Sequence, residues 1–230
     1  MENALSKEEI LYEASLLLPP LPKAINLEIS NTCNLKCIFC INHHPNFRKK
    51  GFMPQELLQK IIDELPENTA ISICGIGEPT IHPNLEVFLN MLTKKFINVS
   101  IVTNGQNLSD EIVKVLINSG LTKITISLDY FNHDEYRKSK NGDLDQVLKG
   151  ITALLESRNN NLNQKPIIQI NMLAQKGLEQ QIQDSLVYFT TKLGEKDCIY
   201  SRCIKDLAGQ VKVEPMEGSD DWFLLENVKD

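Results

Sequence analysis

The feature that most constrains the fold is a regular alternation of strand-like and helix-like patterns along the chain. Short runs rich in β-branched residues, which favour strands, alternate with longer runs whose apolar residues recur three and four positions apart, which favour helices. We predict six strands, over residues 25–30, 70–75, 98–103, 123–128, 167–173 and 198–204. The five predicted helices cover residues 54–64, 85–95, 110–119, 144–156 and 179–193. Because strands that alternate with helices form parallel βαβ units, the chain is predicted to be an α/β protein with a parallel sheet.

The loop after the first predicted strand contains three closely spaced cysteines. Cys33, Cys37 and Cys40 follow C-x3-C-x2-C spacing within SNTCNLKCIFC. Short-spaced cysteines in an intracellular chain usually bind metal, and iron–sulfur clusters are held by cysteine thiolates. A four-iron cluster with only three protein ligands keeps one iron free for a substrate or cofactor. The spacing therefore predicts a metal centre.

Two alternatives use the same cysteines. His43 or His44 would supply a fourth ligand and complete a closed Cys3His zinc site, which is typical of a non-catalytic binding domain. The thiols would otherwise be inert core residues, since free cysteine is among the most frequently buried residue types. The cysteine spacing does not separate iron from zinc, so that choice depends on the rest of the chain.

Glycines and polar residues collect where the predicted strands end. They are Gly75, Gly77, Glu78 and Pro79 in CGIGEPTIHP, Thr103 in IVTNG, Ser127 in ISLDY, and Asn171 within the fifth strand. In a parallel α/β sheet, ligands bind at the carboxyl ends of the strands. Taken alone, the groups at the strand ends are equally typical of ordinary turns or caps, and Asn171 is nearly as typical of a hydrogen-bonded core residue. Together with the cysteines, they predict a ligand site at this edge of the sheet.

The cysteine spacing, the G-E-P turn and the order of six strands resemble the radical S-adenosylmethionine (radical SAM) superfamily over about residues 25–205. The resemblance implies a partial (β/α)6 TIM-like barrel with a [4Fe-4S] cluster on Cys33, Cys37 and Cys40, and S-adenosylmethionine (SAM) on the open iron. It implies an enzyme that cleaves SAM reductively to a 5′-deoxyadenosyl radical and abstracts hydrogen from a peptide or small metabolite. An electron donor such as flavodoxin or ferredoxin would then be a partner.

The resemblance also assigns residues to a SAM pocket. An aromatic residue before the last cysteine packs near the adenine in relatives, the G-E-P element binds the amino group, and an arginine in HDEYRKSKNGD faces the carboxylate. Ile76 either replaces the second glycine of the family element, if the element is aligned from Gly75, or stands just before a G-E-P core. The residues assigned in this way are Phe39, Gly75, Gly77, Glu78, Pro79, Thr103, Ser127, Arg137 and Asn171.

Composition and charge exclude other classes. The chain has 230 residues, a formal net charge of −6 and no apolar run long enough to span a bilayer. Acidic residues near the N-terminus do not fit a secretory signal, and the negative charge does not fit nucleic-acid binding. We therefore expect a cytoplasmic protein that binds neither membrane nor nucleic acid.

Three segments are expected along the chain. Residues 1–24 are predicted to form an N-terminal helical extension, residues 25–205 the core, and residues 206–230 a tail or a truncated extension. The resemblance is to the branch that often carries a SPASM-type C-terminal extension with additional clusters. The cysteines outside the first loop are Cys74, Cys198 and Cys203, which are too few and too scattered for a second cluster. Cys74 and Cys198 are therefore interpreted as core residues.

Overall fold

The structure, a computed structural model, describes residues 6–7, 21–43, 48–161, 165–202 and 223–225. Six strands of the described chain are parallel and follow one another across a single sheet in chain order, and a seventh pairs antiparallel with the sixth. The strands are β1 (Ala24–Leu27), β2 (Ala70–Ile73), β3 (Val99–Thr103), β4 (Lys123–Asp129), β5 (Ile167–Leu173), β6 (Cys198–Arg202) and β7 (Phe223–Leu225). This order brings the carboxyl ends of β1 to β6 to one edge of the sheet.

The described α-helices lie between these strands. They are α1 (Gln55–Glu64), α2 (Leu85–Lys95), α3 (Asp110–Asn118), α4 (His133–Lys140), α5 (Leu144–Asn159) and α6 (Glu179–Thr190). Side-chain caps begin three of them: Ser109 caps α3, Asn132 caps α4 and Asp143 caps α5, each by accepting backbone N–H groups of the first turn. Such caps satisfy donors that have no partner within the helix.

The two faces of the sheet have different side chains. One face carries branched apolar residues that are at most 2% exposed and pack with the helices: Ile71, Ile73, Val99, Ile101, Ile124, Ile126, Ile168 and Ile170. Alternate positions carry smaller polar residues, and the strand register places Ser72 beside Ser100 and Thr125 beside Gln169. Because side chains alternate along a strand, the helices cover the apolar face and the polar face lines the interior of the open barrel.

The predicted α/β partial barrel with parallel strands is confirmed. All six predicted strands and all five predicted helices are present, with ends that differ from the prediction by at most three residues. The sequence did not reveal helix α4 or strand β7. Helix α4 buries Tyr136, Ser139 and Lys140, so it has no apolar stripe for a periodicity search to find.

Some predicted features lie outside the described residues. They include most of the predicted helix in residues 1–24, most of the 206–230 tail, His44 and Cys203. Within the described part of the chain, helices long and apolar enough to cross a membrane are absent. Cys74, which directly follows β2, and Cys198, the first residue of β6, are half-buried rather than enclosed in the core, which corrects their interpretation as core residues.

Candidate active site

The three cysteines of the first loop lie close together after β1. Cys33, Cys37 and Cys40 are each half-buried, and each thiol is near enough to the other two to interact electrostatically. A turn in which Cys40 N donates to Cys37 O over 3.1 Å brings the last two together. Across the described residues, no three Cys, His, Asp or Glu side chains are grouped as they would be around a single metal ion. The loop therefore gathers three thiols without forming a preassembled single-ion site.

The surroundings of Cys33 and Cys37 favour the neutral thiol over the thiolate. Burial raises the pKa of Cys33 and raises the pKa of Cys37 to about 12. Opposing this, Leu35 N donates to the Cys33 sulfur over 3.5 Å and Asn104 Nδ2 donates to it over 3.7 Å. Because only thiolates bind metal, binding at this loop displaces protons from the cysteines.

The cysteine loop is docked on the C-terminal end of helix α4. Lys36 N donates to Lys140 O over 3.2 Å, and Ile38 N donates to Ser139 O over 2.9 Å. These two bonds lie on either side of Cys37. They also give partners to carbonyl groups that a helix end leaves unpaired. The position of Cys37 is therefore set by α4 as well as by β1.

The G-I-G-E-P turn packs directly against the start of the same loop. A Cβ at Gly77 would lie 2.2 Å from Ser30 O, and one at Gly75 would lie 2.5 Å from the Glu28 side chain. Glycine is therefore required at Gly77, where the obstructing atoms belong to the backbone. Ile76, which lies between these two glycines, donates its N–H to Glu28 Oε1 and accepts from Asn42 Nδ2 at its carbonyl.

Glu78 is the centre of a hydrogen-bond network that joins the turn to the end of β3. The carboxylate is 2% exposed and accepts from Thr80 N and Thr80 Oγ1, from Thr103 Oγ1 over 2.7 Å, and from Asn104 N over 2.7 Å. Burial raises the pKa of Glu78, and these hydrogen bonds oppose that rise. Since both oxygens are occupied, the Glu78 side chain orders the site rather than facing a ligand. Asn104 extends the network to Cys33, because its side-chain amide donates to the Cys33 sulfur.

A buried ion pair lies at the ends of β4 and β5. Lys140 is 1% exposed, and its ammonium donates to Asp129 Oδ2 over 2.6 Å and to Ser127 O. Asp129 has a φ of 67° and lies at an irregularity in the pairing of β4 with β5. The other Asp129 oxygen accepts from Asn171 Nδ2 over 3.3 Å. This pair brings the end of α4 and two strand ends together beside the cysteine loop.

Unpartnered polar atoms lie next to this pair. Asn171 Oδ1 and the Tyr136 hydroxyl are buried without a hydrogen-bond partner, and the half-buried Ser127 stands beside Asn171 in the strand register. Buried polar atoms are normally hydrogen-bonded, so each exception needs a partner, and a bound ligand can supply one. Three cysteine thiols have the donor chemistry of an iron–sulfur cluster, and these oxygens suit the polar groups of SAM. The residues present therefore fit both groups.

The predicted site residues differ in their positions and contacts. The cysteines, the glycine turn, Ser127 and Asn171 converge at one edge of the sheet, and Phe39 packs partly buried against the core. Thr103 is buried and bonded to Glu78, so it acts within the protein framework. Arg137 is exposed, and its side chain has no hydrogen bond or ion pair within the described ranges.

The sequence analysis gave no role to Glu28 or Lys140, and it assigned Thr103 rather than the neighbouring Asn104 to the site. Glu28 bonds Ile76 N and pairs with Arg48 over 3.0 Å, which joins β1 to the glycine turn. Lys140 lies three residues after Arg137, and residues three apart are neighbours on a helix. A prediction of α4 would therefore have placed Lys140 beside the assigned Arg137. Asn104 directly follows Thr103 at a strand end, which was the available signal.

Comparisons with known proteins agree with this geometry. The family model described as the Radical SAM superfamily matches residues 27–179. The tungsten-containing aldehyde ferredoxin oxidoreductase cofactor-modifying protein of Pyrococcus furiosus is 31% identical over 214 residues, which are 89% of this chain and 58% of that protein. GTP 3′,8-cyclase of Campylobacter jejuni subsp. doylei is 33% identical over 174 residues, 72% of this chain and 51% of the cyclase. The chain thus spans about half the length of these relatives.

A solved structure shares the fold. Streptococcus suis SuiB bound to S-adenosylmethionine superposes with a TM-score of 0.72 at 19% identity, covering 93% of this chain and 50% of SuiB. SuiB bound to the precursor peptide SuiA superposes with a TM-score of 0.71. At this level of identity the similarity establishes the architecture. The comparisons give no support to the zinc-binding alternative.

Proposed function

Because the chain belongs to the radical SAM superfamily, we propose that it is an enzyme that cleaves S-adenosylmethionine reductively at a [4Fe-4S] cluster held by Cys33, Cys37 and Cys40. Its substrate is a peptide or a small metabolite, from which it removes hydrogen. The observation that carries the proposal is the convergence of three half-buried thiols with unpartnered polar atoms at one edge of the sheet.

The residues of the chain supply binding, orientation and the exclusion of water. When bound, the cluster and SAM supply a 5′-deoxyadenosyl radical that takes hydrogen from a C–H bond of the substrate. The cysteines act as ligands and not as nucleophiles. Ser127 and Asn171 offer a hydroxyl and a carbonyl oxygen to SAM, while Glu78 and Thr103 hold the glycine turn against β3. Phe39, Gly75, Gly77 and Pro79 complete the proposed pocket.

The polar face of the sheet is the proposed substrate surface. Ser72, Ser100, Thr125 and Gln169 lie on it in neighbouring registers and make it polar, although they also bond to neighbouring strand residues. SuiB, which shares the fold, binds a precursor peptide, whereas the name of GTP 3′,8-cyclase describes a nucleotide substrate. Both substrate classes therefore stay within the proposal. A flavodoxin or ferredoxin is the proposed electron donor, and the reducing cytoplasm is the proposed location.

Anaerobic reconstitution tests the proposal. Wild-type protein treated with iron and sulfide is expected to turn brown, to contain iron and sulfide for one cluster, and to give an EPR signal after reduction by dithionite. With SAM and dithionite it is expected to form 5′-deoxyadenosine slowly, and a true substrate should accelerate the reaction. Candidate peptides and metabolites can be ranked by that acceleration, measured by chromatography.

Two cysteine variants make the test specific. Cys37→Ala removes one of three ligands and is expected to abolish both the cluster and 5′-deoxyadenosine formation. Cys198→Ala changes a half-buried thiol on β6 and is expected to retain both. A colourless wild-type protein with stoichiometric zinc would contradict the proposal, as would a reconstituted cluster that never supports SAM cleavage.

A further inference from the structure

Lys140 is enclosed at the point where helix α4 meets the cysteine loop. Its side chain is 1% exposed and contacts Asp129, the Ser127 carbonyl and the Tyr136 ring, whose centroid lies 5.3 Å from the ammonium. Buried lysines are uncommon because removing an ammonium from water is costly. A single carboxylate partner and two neutral groups hold this one in place. An apolar side chain would pack this helix at lower cost, so the buried charge is expected to have a role beyond helix packing.

The backbone of Lys140 and the position of Cys37 are coupled directly. Lys140 O accepts from Lys36 N and Ser139 O accepts from Ile38 N, so the residues on both sides of Cys37 are bonded to the end of α4. The Lys140 ammonium acts electrostatically on the Cys37 sulfur, in the direction opposite to that of the Asp129 carboxylate. Such interactions are strong where water is excluded.

We propose that Lys140 is a positioning residue that raises the reduction potential of the cluster bound by the three cysteines, and that Asp129 partly offsets it. The inference rests on the proposed function. A fixed positive charge beside a thiolate ligand stabilises the more negative, reduced state of the cluster, and net charge is one of the factors that set such potentials. The step concerned is the addition of one electron to the bound cluster, with no bond made or broken.

Anaerobic potentiometric titration of the reconstituted protein, followed by EPR with redox mediators and dithionite as the electron source, measures this potential. Lys140→Met is expected to shift the midpoint to a more negative value, and Lys140→Arg is expected to stay near the wild type because it keeps the charge. Asp129→Asn is expected to shift it in the positive direction. Lys138→Met removes an exposed lysine from the same helix and is expected to change nothing.

Opposite shifts from the two members of one ion pair distinguish an electrostatic role from a structural one, because structural damage has no preferred sign. Thermal unfolding of each metal-free variant, measured alongside, reports the structural cost separately. Equal midpoints for Lys140→Met and wild type overturn the inference, and so does an equal shift in Lys140→Arg and Lys140→Met. If Lys140→Met fails to retain a cluster, a midpoint of Asp129→Asn at or below the wild-type value overturns it. Failure of the wild type to bind a cluster refutes the proposed function instead.

Discussion

Two buried ion pairs lie at opposite ends of the sheet and differ in how completely they are satisfied. At the amino end, Arg158 makes two hydrogen bonds to Asp197, of 2.8 and 2.5 Å, and the same carboxylate accepts from Ile168 N and Gly194 N. At the carboxyl end, Lys140 and Asp129 pair beside polar atoms without partners.

The difference between the two ion pairs indicates that the amino-end pair stabilises the fold and that the carboxyl-end pair belongs to a functional site. The amino-end pair fills both carboxylate oxygens with hydrogen bonds and joins α5, β5 and the turn before β6. At the other end, Asp129 adopts a left-handed φ of 67°, which costs an L residue about 1 kcal/mol. Strain and unsatisfied groups persist where the surrounding structure serves a ligand. The carboxyl end is also where α/β barrels place their active sites.

The largest effect is expected at the amino end. Arg158→Met leaves the Asp197 carboxylate buried without its cation, and the free energy of unfolding is expected to fall by about 3–5 kcal/mol. Urea unfolding measures this change. Arg137→Met, which removes an exposed arginine, is the control and should stay within about 0.5 kcal/mol of the wild type. A loss below about 1 kcal/mol for Arg158→Met would remove the distinction between the two pairs.

The second prediction tests the close contact between the glycine turn and the cysteine loop at the carboxyl end of the sheet. Gly77→Ala places a methyl group 2.2 Å from Ser30 O, so the glycine turn and the cysteine loop must separate, at a cost of about 1–3 kcal/mol. Iron uptake should fall with it. Gly51→Ala is the matched control, because a Cβ there meets no atom within 4 Å. Equal stability and iron content in the two variants would show that the contact is not required.

A smaller effect is expected from Ser127→Ala. If the hydroxyl binds SAM, affinity should fall by about 1 kcal/mol, which is roughly fivefold in Kd. The cluster spectrum and the free energy of unfolding should be unchanged, unlike the result for Arg158→Met. Isothermal titration of the reconstituted protein with SAM measures the change. Unaltered affinity would place the SAM pocket elsewhere on this edge of the sheet.

The smallest effect concerns pH at the carboxyl end. Burial lowers the pKa of His82 from its usual 6.5, and the neutral ring pairs with Met53 O through Nε2 and accepts from Asn84 N at Nδ1. Below the usual pKa the unfolded chain binds a proton that the folded protein resists, so the free energy of unfolding should fall as pH drops from about 7.5 to 5.5. His82→Gln should flatten this dependence, and identical slopes in the two proteins would contradict it.

Much of the fold could be predicted because the patterns that specify it are local. Apolar residues that recur at strand or helix spacing mark these elements within a few positions of the chain, and the structure confirms the elements. Helix α4 could not be found in this way, because its buried side is formed by Tyr136, Ser139 and Lys140. Those residues are buried by contacts with the end of β4, which precedes α4, and with the cysteine loop, which lies far earlier in the chain.

The sequence by itself determined the ligand chemistry of the site. Three thiols within eight residues must lie near one another whatever the rest of the chain does, because the chain between them is short. The tertiary structure alone decided which charged groups surround them. Arg137 and Lys140 are both basic and share one short helix, yet only Lys140 is buried beside Cys37 and Asp129. That choice depends on the packing of α4 against the cysteine loop, which is far away in sequence, and local sequence patterns do not encode it.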